Sequence, residues 1–252
     1  MKNKVIVISQ ARTGSTRLPD KVLLKILGKE LLIHFVNRVK KSKKIDKIVI
    51  ATTDKTNYDK IANLIDKYYK NEIDVFRVSE EDVLDRYYQA SLKFLDDDTN
   101  LIIVRITSDC PLIAANIIDL HIEEFIKRKV DYLSSRINKR TWTHGMEAEV
   151  FTFQALKDAW ENAKTPMERE HVTPYIYRTH PEKFKLYELS YKEDLSNLRF
   201  TVDYPEDFEF VKTIYERLYP INPYFSFNDI LNLLKKEPEL LEINKNRVNP
   251  DI

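Results

Sequence analysis

The stretch Ser9-Gln10-Ala11-Arg12-Thr13-Gly14-Ser15-Thr16-Arg17-Leu18-Pro19-Asp20-Lys21 sets three cations, one glycine and four hydroxyls directly beyond a short apolar run, Val5 to Ile8. Those residue types suit a polyphosphate. Arginine offers planar, permanently charged donors to phosphate oxygens, and lysine offers a compact point charge. Gly14 lets backbone N–H groups approach an anion. The spacing is neither Gly-x-x-x-x-Gly-Lys-Ser/Thr nor Gly-x-Gly-x-x-Gly, so neither P-loop hydrolysis nor dinucleotide binding follows from it. A basic surface loop with no ligand is the competing reading, and the position after the first strand weighs against it.

Two aspartates far apart in sequence, Asp109 and Asp203, each follow an apolar run, Leu101 to Arg105 and Leu198 to Val202. Mg2+ prefers oxygen ligands and is held by one or two carboxylates, with substrate phosphates and waters completing its octahedron. Such a metal would neutralise charge developing on an α-phosphate. Asp203 has a rival role in capping a helix that starts at Pro205, although proline at the first helical position makes Tyr204 the cap residue and leaves Asp203 outside. Cys110 adjoins Asp109, but no histidine motif accompanies it, and a small buried residue is the simpler reading.

Chemistry of this kind needs a scaffold that gathers strand ends. Short apolar runs alternate with segments of helical period: Val5 to Ser9, a helix over about 31–41, Ile48 to Thr52, a helix over about 57–69, Val75 and Phe76, a helix over about 83–95, Leu101 to Arg105, and a helix over about 117–127. This alternation predicts an α/β fold, a three-layer and mostly parallel sheet with helices on both faces. Ligands of such sheets bind beyond the carboxyl ends of the strands. Past Ser134 the alternation weakens. A polar stretch leads to a strand over 147–151, a helix ending before Pro166, a helix over about 167–177, strands near 185–189 and 198–202, and helices over 205–218 and 227–236. The chain reads as one domain over residues 1–252, with a small acceptor or dimerisation arm at about 135–190. The acidic run Asp96 to Asp98 reads as a solvated loop.

Composition narrows the classes. With 41 Lys and Arg against 40 Asp and Glu, the formal net charge is +1, which gives no global electrostatic case for nucleic acid or an anionic membrane. Val5 to Ile8 is too short for a signal-peptide core, and no stretch reaches membrane-spanning length. The single cysteine cannot form an internal disulfide, which fits a reducing cytoplasm. At 252 residues the chain can bury a core without staples.

The basic loop, continued through Val22-Leu23, resembles the signature loop of the cytidylyltransferases that activate acidic sugars, CMP-KDO synthetase among them, and most nearly the SpsF-like branch named for spore coat polysaccharide biosynthesis. Further blocks carry the same resemblance: Phe76 to Tyr87, Arg105-Ile106-Thr107-Ser108-Asp109-Cys110-Pro111-Leu112, Glu168 to Tyr175, and Thr201-Val202-Asp203-Tyr204-Pro205-Glu206-Asp207. The resemblance implies a nucleotide-diphospho-sugar transferase-like fold and a Mg2+-dependent enzyme that moves CMP from CTP to a sugar or sugar-acid acceptor, likewise a homodimer. It implies nucleotide contacts for Ala11, Arg12, Gly14, Ser15, Arg17 and Lys21, a frame for the cytosine from Arg77, Ser79 and Thr107, and metal binding by Asp109 and Asp203. Catalysis then falls to Arg12, Lys21, Asp109 and Asp203. The segment Thr143 to Phe151 resembles the acceptor side, implicating Gly145, Glu147 and Glu149; Glu168, Arg169 and His171 are candidates for the acceptor or a neighbouring subunit. The chain departs from the family at Ser108, where glycine is common, and at Glu147 and Ala148, where Asp and Val are.

Two other classes stay open. A glycosyltransferase of related fold would present Asp-x-Asp at a strand end, whereas this chain has Ser-Asp-Cys there. A non-catalytic nucleotide-binding protein could keep the fold, since fold does not fix function; the intact set of loop cations and aspartates weighs against it. His34, His121 and His180 read as structural.

Overall fold

The computed structural model describes residues 2–53, 59–78 and 82–247. Its strands are β1 (Lys2–Gln10), β2 (Lys25–Ile26), β3 (Lys29–Glu30), β4 (Lys47–Thr53), β5 (Asp74–Val78), β6 (Thr99–Arg105), β7 (Tyr132–Ser134), β8 (Glu149–Thr152) and β9 (Leu186–Glu188). Its helices are α1 (Leu31–Val39), α2 (Asp59–Tyr69), α3 (Val83–Leu92), α4 (Ala115–Arg128), α5 (Phe153–Asn162), α6 (Pro166–His171), α7 (Pro205–Leu218) and α8 (Phe227–Lys236).

Seven strands form one sheet in the order β5-β4-β1-β6-β8-β7-β9. The β5, β4, β1 and β6 pairings are parallel, and β8 enters antiparallel between β6 and β7. The expected alternation of strand and helix is therefore a mostly parallel sheet. Strand β1 shows why both faces must be covered. Its Val5 and Val7 belong to one apolar cluster, with α1, α2, α4, α7 and α8, while its Ile6 and Ile8 belong to a second, with α3, α5 and the residues after α6. A strand buried on both faces reads as a continuous apolar run because each side chain alternates into a different core.

The stretch 135–190 supplies β8 and β9 to this same sheet, and α5 covers one face. Two local expectations change. The segment 198–202 is extended but makes only an isolated bridge between His144 and Arg199, plus scattered bonds such as Phe200 N–H to the His144 carbonyl at 2.7 Å. The helix expected over 167–177 breaks after His171, where Val172 takes φ 74° and a π-helical turn follows at Tyr175–Thr179. Pro174 has no N–H to continue the helical ladder, so the break falls just before it. Among the described residues no helix is long and apolar enough to cross a membrane.

Candidate functional site

At the carboxyl ends of β1 and β6 lies a polar cleft of about 250 Å³. Its walls include Gln10 from β1, Arg105 from β6, Thr107, Asp109 and Cys110 from the loop that follows, and Asp203 with Thr201 from the extended segment. The two aspartates are brought together by main chain. Val202 N–H donates to the Asp109 carbonyl at 2.8 Å, and the Thr201 hydroxyl donates to the same oxygen at 3.2 Å. Segments 92 residues apart in the chain are stitched at the residue that matters.

Lys21 completes the centre. Its Nζ donates to Asp109 Oδ2 at 2.6 Å, to the Val202 carbonyl at 2.8 Å and to Asp203 Oδ1 at 2.9 Å. Arg17 donates to the same Asp203 oxygen at 2.8 Å, and Arg199 takes the other, Oδ2, at 2.7 Å. Burial opposes ionisation of Asp109, but the charge and hydrogen bond of Lys21 outweigh it and hold the carboxyl below its ordinary value. The two aspartates converge on one cationic point, the Lys21 ammonium. That is the donor set a hard divalent cation requires. Among the described residues no group of three or more His, Cys, Asp or Glu is placed to hold a metal, so the pair would need oxygens from a substrate to complete a shell.

The capping question is settled by geometry. Asp207, not Asp203, accepts from the amides of Asp203 and Tyr204 at 3.0 and 3.1 Å as α7 begins. Asp207 is fully buried and also accepts from Arg199 Nε at 3.0 Å, so Arg199 is a clamp between the helix start and Asp203. The two residues were missed because nothing in their spacing distinguishes a clamp from a surface pair.

The remaining loop residues are less concentrated. Ala11 is buried and its N–H donates to the Ala51 carbonyl at 3.0 Å, which anchors the loop to β4. Ser15 Oγ accepts from Leu18 N–H at 3.3 Å, shaping the turn, and Gly14 is exposed. Arg12 is exposed and makes no hydrogen bond or ion pair among the described residues. Arg77, at the end of β5, pairs with Asp59 at 2.6 Å and donates to the Thr53 carbonyl at 3.2 Å; it is not a wall of the cleft. Ser79 lies outside the described residues. Thr107 lines the cleft, with its hydroxyl 3.3 Å from Cys110 Sγ. Burial, with Asp109 beside it, pushes the Cys110 thiol up to about 12, which suits a packing residue rather than a nucleophile. Ser108 is buried with negative φ, and its hydroxyl donates to the Gln10 carbonyl at 2.7 Å, so it ties the ends of β6 and β1 where a glycine could not.

The acceptor-side candidates divide. Gly145, Glu147, Glu149 and His171 line the cleft. Gly145 has φ 92°, and a Cβ there would stand 2.7 Å from the Thr201 nitrogen, so this position must be glycine for the main chain to pass. Glu149 sits opposite Arg105 in the β6–β8 register and is saturated: Arg136 donates to Oε1 at 3.0 Å, Arg105 and the Thr173 hydroxyl to Oε2, both at 3.0 Å. Glu147 accepts from Arg140 Nε at 2.9 Å. Arg169 is not a cleft wall; it pairs with Asp82, the N-cap of α3, and donates to the Trp160 carbonyl at 2.7 Å. Residues that spacing alone did not single out, Gln10, Arg105, Arg136, His144 and Thr201, share the cleft. His144 is neutral there, since burial and the neighbouring Arg140, Arg199 and Arg136 push its pKa down to about 3. The Asp96 to Asp98 run is exposed ahead of β6, so no Asp-x-Asp pair faces the cleft. A larger hollow of about 610 Å³ between α7 and α8 includes neither aspartate.

The sequence model of one family, described as cytidylyltransferase, matches residues 6–236. An uncharacterized protein of Methanocaldococcus jannaschii is 43% identical over 245 residues, covering 96% of this chain and 95% of that protein. The spore coat polysaccharide biosynthesis protein SpsF of Bacillus subtilis is 32% identical over 249 residues, covering 94% and 96%. The solved structure of a cytidylyltransferase from Leptospira borgpetersenii superposes with a TM-score of 0.85 at 32% identity, covering 99% of each chain.

Proposed function

The chain belongs to the cytidylyltransferase family, and from that premise we propose that it transfers CMP from CTP to an acidic sugar or sugar-like acceptor, releasing pyrophosphate, in the synthesis of a surface polysaccharide or glycan. The observation that carries the reading is the meeting of Lys21 with Asp109 and Asp203 beyond the ends of the central strands, beside a loop that also brings Arg17. Cations for a triphosphate and carboxylates for its counter-ion occupy one place.

In this reading Arg12, Arg17 and Lys21 hold the phosphates, and Asp109 and Asp203 bind Mg2+. When bound, the metal supplies charge neutralisation at the α-phosphate and the leaving pyrophosphate. Transfer of this kind asks little covalent work of the protein; alignment and fixed charge dominate. Arg199, locked on Asp207, keeps Asp203 facing the site. The acceptor enters beside Gly145, Glu147 and His171, where the Arg105–Glu149–Arg136 cluster forms a rigid floor. Its net charge is positive by one guanidinium, which suits an anionic acceptor. No protein nucleophile takes part. We place the reaction in the cytoplasm and the active species as a homodimer through residues of the 135–190 stretch.

The test is thermal stabilisation of the purified protein by CTP, UTP, GTP and ATP, each with and without Mg2+, because a ligand of the native state raises its stability by mass action. A Mg2+-dependent shift selective for CTP supports the reading and leads to a screen of acidic sugars for pyrophosphate release. No shift with any triphosphate would sink it.

A further inference from the structure

We infer that Lys21 holds the divalent-metal position shut until a nucleoside triphosphate draws its ammonium away, so that metal and nucleotide bind as one unit. The identity of the nucleotide rests on the reading above; the closure itself rests on the geometry of three side chains.

An ammonium has three donors, and each Lys21 N–H has an acceptor: Asp109 Oδ2, Asp203 Oδ1 and the Val202 carbonyl, at 2.6, 2.9 and 2.8 Å. The Lys21 side chain is buried, while the two carboxylates keep a partial face on the cleft. A Mg2+ ligated by the same two carboxylates would stand about 2.0–2.1 Å from their oxygens. It would then crowd the ammonium at a distance where like charges repel strongly in a partly desolvated site. Metal and ammonium cannot share Asp109 Oδ2 and Asp203 Oδ1, the two oxygens the ammonium holds.

Metal alone has little to offer in exchange. It must eject a buried ammonium from three acceptors and leave it without an anion, a costly state away from water. It must also shift Arg17, which shares Asp203 Oδ1 at 2.8 Å and lies over the Tyr204 ring, though that side chain is half exposed. Arg199 does not have to move, because it holds the other oxygen and is anchored on buried Asp207. A triphosphate removes the obstacle from both sides. Its oxygens give Lys21 and Arg17 new anionic partners, and they add ligands that two aspartates lack. The coupling is reciprocal by linkage: whatever factor the nucleotide adds to metal affinity, the metal adds to nucleotide affinity. In the meantime the ammonium keeps two carboxylates close together that would otherwise repel, so the pair is already gathered when the metal arrives.

The experiment titrates Mn2+ into the full-length protein and follows free Mn2+ by electron paramagnetic resonance, with no acceptor present. After subtraction of the Mn2+ that the same CTP takes up without protein, wild type is expected to bind Mn2+ at least tenfold more tightly with CTP than without. Lys21→Met keeps the unbranched side chain one atom shorter and removes the charge; without nucleotide it is expected to bind Mn2+ at least tenfold more tightly than wild type, and Lys21→Met combined with Asp109→Asn is expected to lose that gain. Wild type binding Mn2+ equally well with and without CTP would overturn the inference, as would a folded Lys21→Met protein with no gain. The wild-type comparison stands even if the variant does not fold. CTP binding is measured separately by equilibrium dialysis in buffer with saturating Mg2+. A protein that retains no CTP there, yet gains Mn2+ in Lys21→Met, keeps the closure by Lys21 and overturns the cytidylyl reading instead.

Discussion

Lys21 and Asp109, 88 residues apart in sequence, meet at 2.6 Å beyond the end of β6, and the same ammonium reaches Asp203. Removing the Asp109 carboxylate should therefore cost the metal its ligand, while Asp203 and the Val202 carbonyl still hold the ammonium. Asp109→Asn is expected to keep its far-ultraviolet circular dichroism and to lose the Mg2+-dependent part of the CTP-induced rise in Tm, a loss on the order of 100-fold in metal-linked affinity, or about 2.7 kcal/mol. Full retention of that rise would remove Asp109 from the metal site.

Glu149 carries the charge balance of the buried cluster it forms with Arg105 and Arg136. It is buried between Arg105 and Arg136, so Glu149→Gln leaves two guanidiniums facing a neutral amide. Breaking a buried ion pair from one side costs about 3–5 kcal/mol. For a chain of this length the expected fall in Tm is roughly 10 °C. A fall of only a degree or two by calorimetry would mean that the cluster is well solvated.

The main chain at Gly145 passes too close to residues 200–201 for a side chain, and its φ is 92°. Gly145→Ala is expected to destabilise by about 2–3 kcal/mol through strain and backbone contact. Gly28 also has positive φ, but open space surrounds its Cβ direction, so Gly28→Ala should cost only about 1 kcal/mol. Urea unfolding of the two variants measures the difference; equal midpoints would contradict the close approach.

Cys110 is a packing residue. Iodoacetamide should label it in urea and leave it unlabelled in the native protein, since its thiol is buried and poorly ionised. Cys110→Ala should retain CTP binding within about twofold, as a mutation that touches only packing. Rapid native labelling, read by mass spectrometry, would show the thiol to be accessible.

His121 sets an acid limit. It is fully buried, with Nδ1 bonded to the Ile117 carbonyl and Nε2 2.6 Å from the Ser135 hydroxyl, and burial pushes its pKa down to about 4. Between the ordinary value of 6.5 and about 4 the unfolded chain binds a proton that the native chain refuses, so stability falls as pH falls through that window. Above 6.5 the effect vanishes. His121→Asn, which cannot titrate there, should lose less stability than wild type between pH 6.5 and 4.5, measured by urea midpoints. An identical slope would assign the acid sensitivity to other groups.

Strand and helix were legible where one local pattern dominated. Val5 to Ile8 and Leu101 to Val104 read as strands because alternate residues fill two cores, and α7 starts where Pro205 and Asp207 place it. The segment 198–202 misled because its apolar residues are buried by neighbours rather than by a ladder, and periodicity cannot tell these apart. The helix over 167–177 misled at Val172, where a single residue with positive φ interrupts an otherwise favourable run.

By itself the sequence determined the chemistry available: Arg12, Arg17 and Lys21 in one loop, Asp109 and Asp203 after apolar runs, and a strand-helix alternation that sends all of them toward one edge of a sheet. Residue types and their order are local information, and they suffice to say which ligands can be bound. Only the tertiary structure decided who touches whom. Arg169 went to Asp82, Glu149 was claimed by Arg105 and Arg136, and the silent residues Arg199 and Asp207 became the clamp on Asp203. Contacts of that kind depend on which side chains burial brings within 3 Å, and on which charge finds its partner first in a place that water cannot reach. No spacing along the chain encodes that competition.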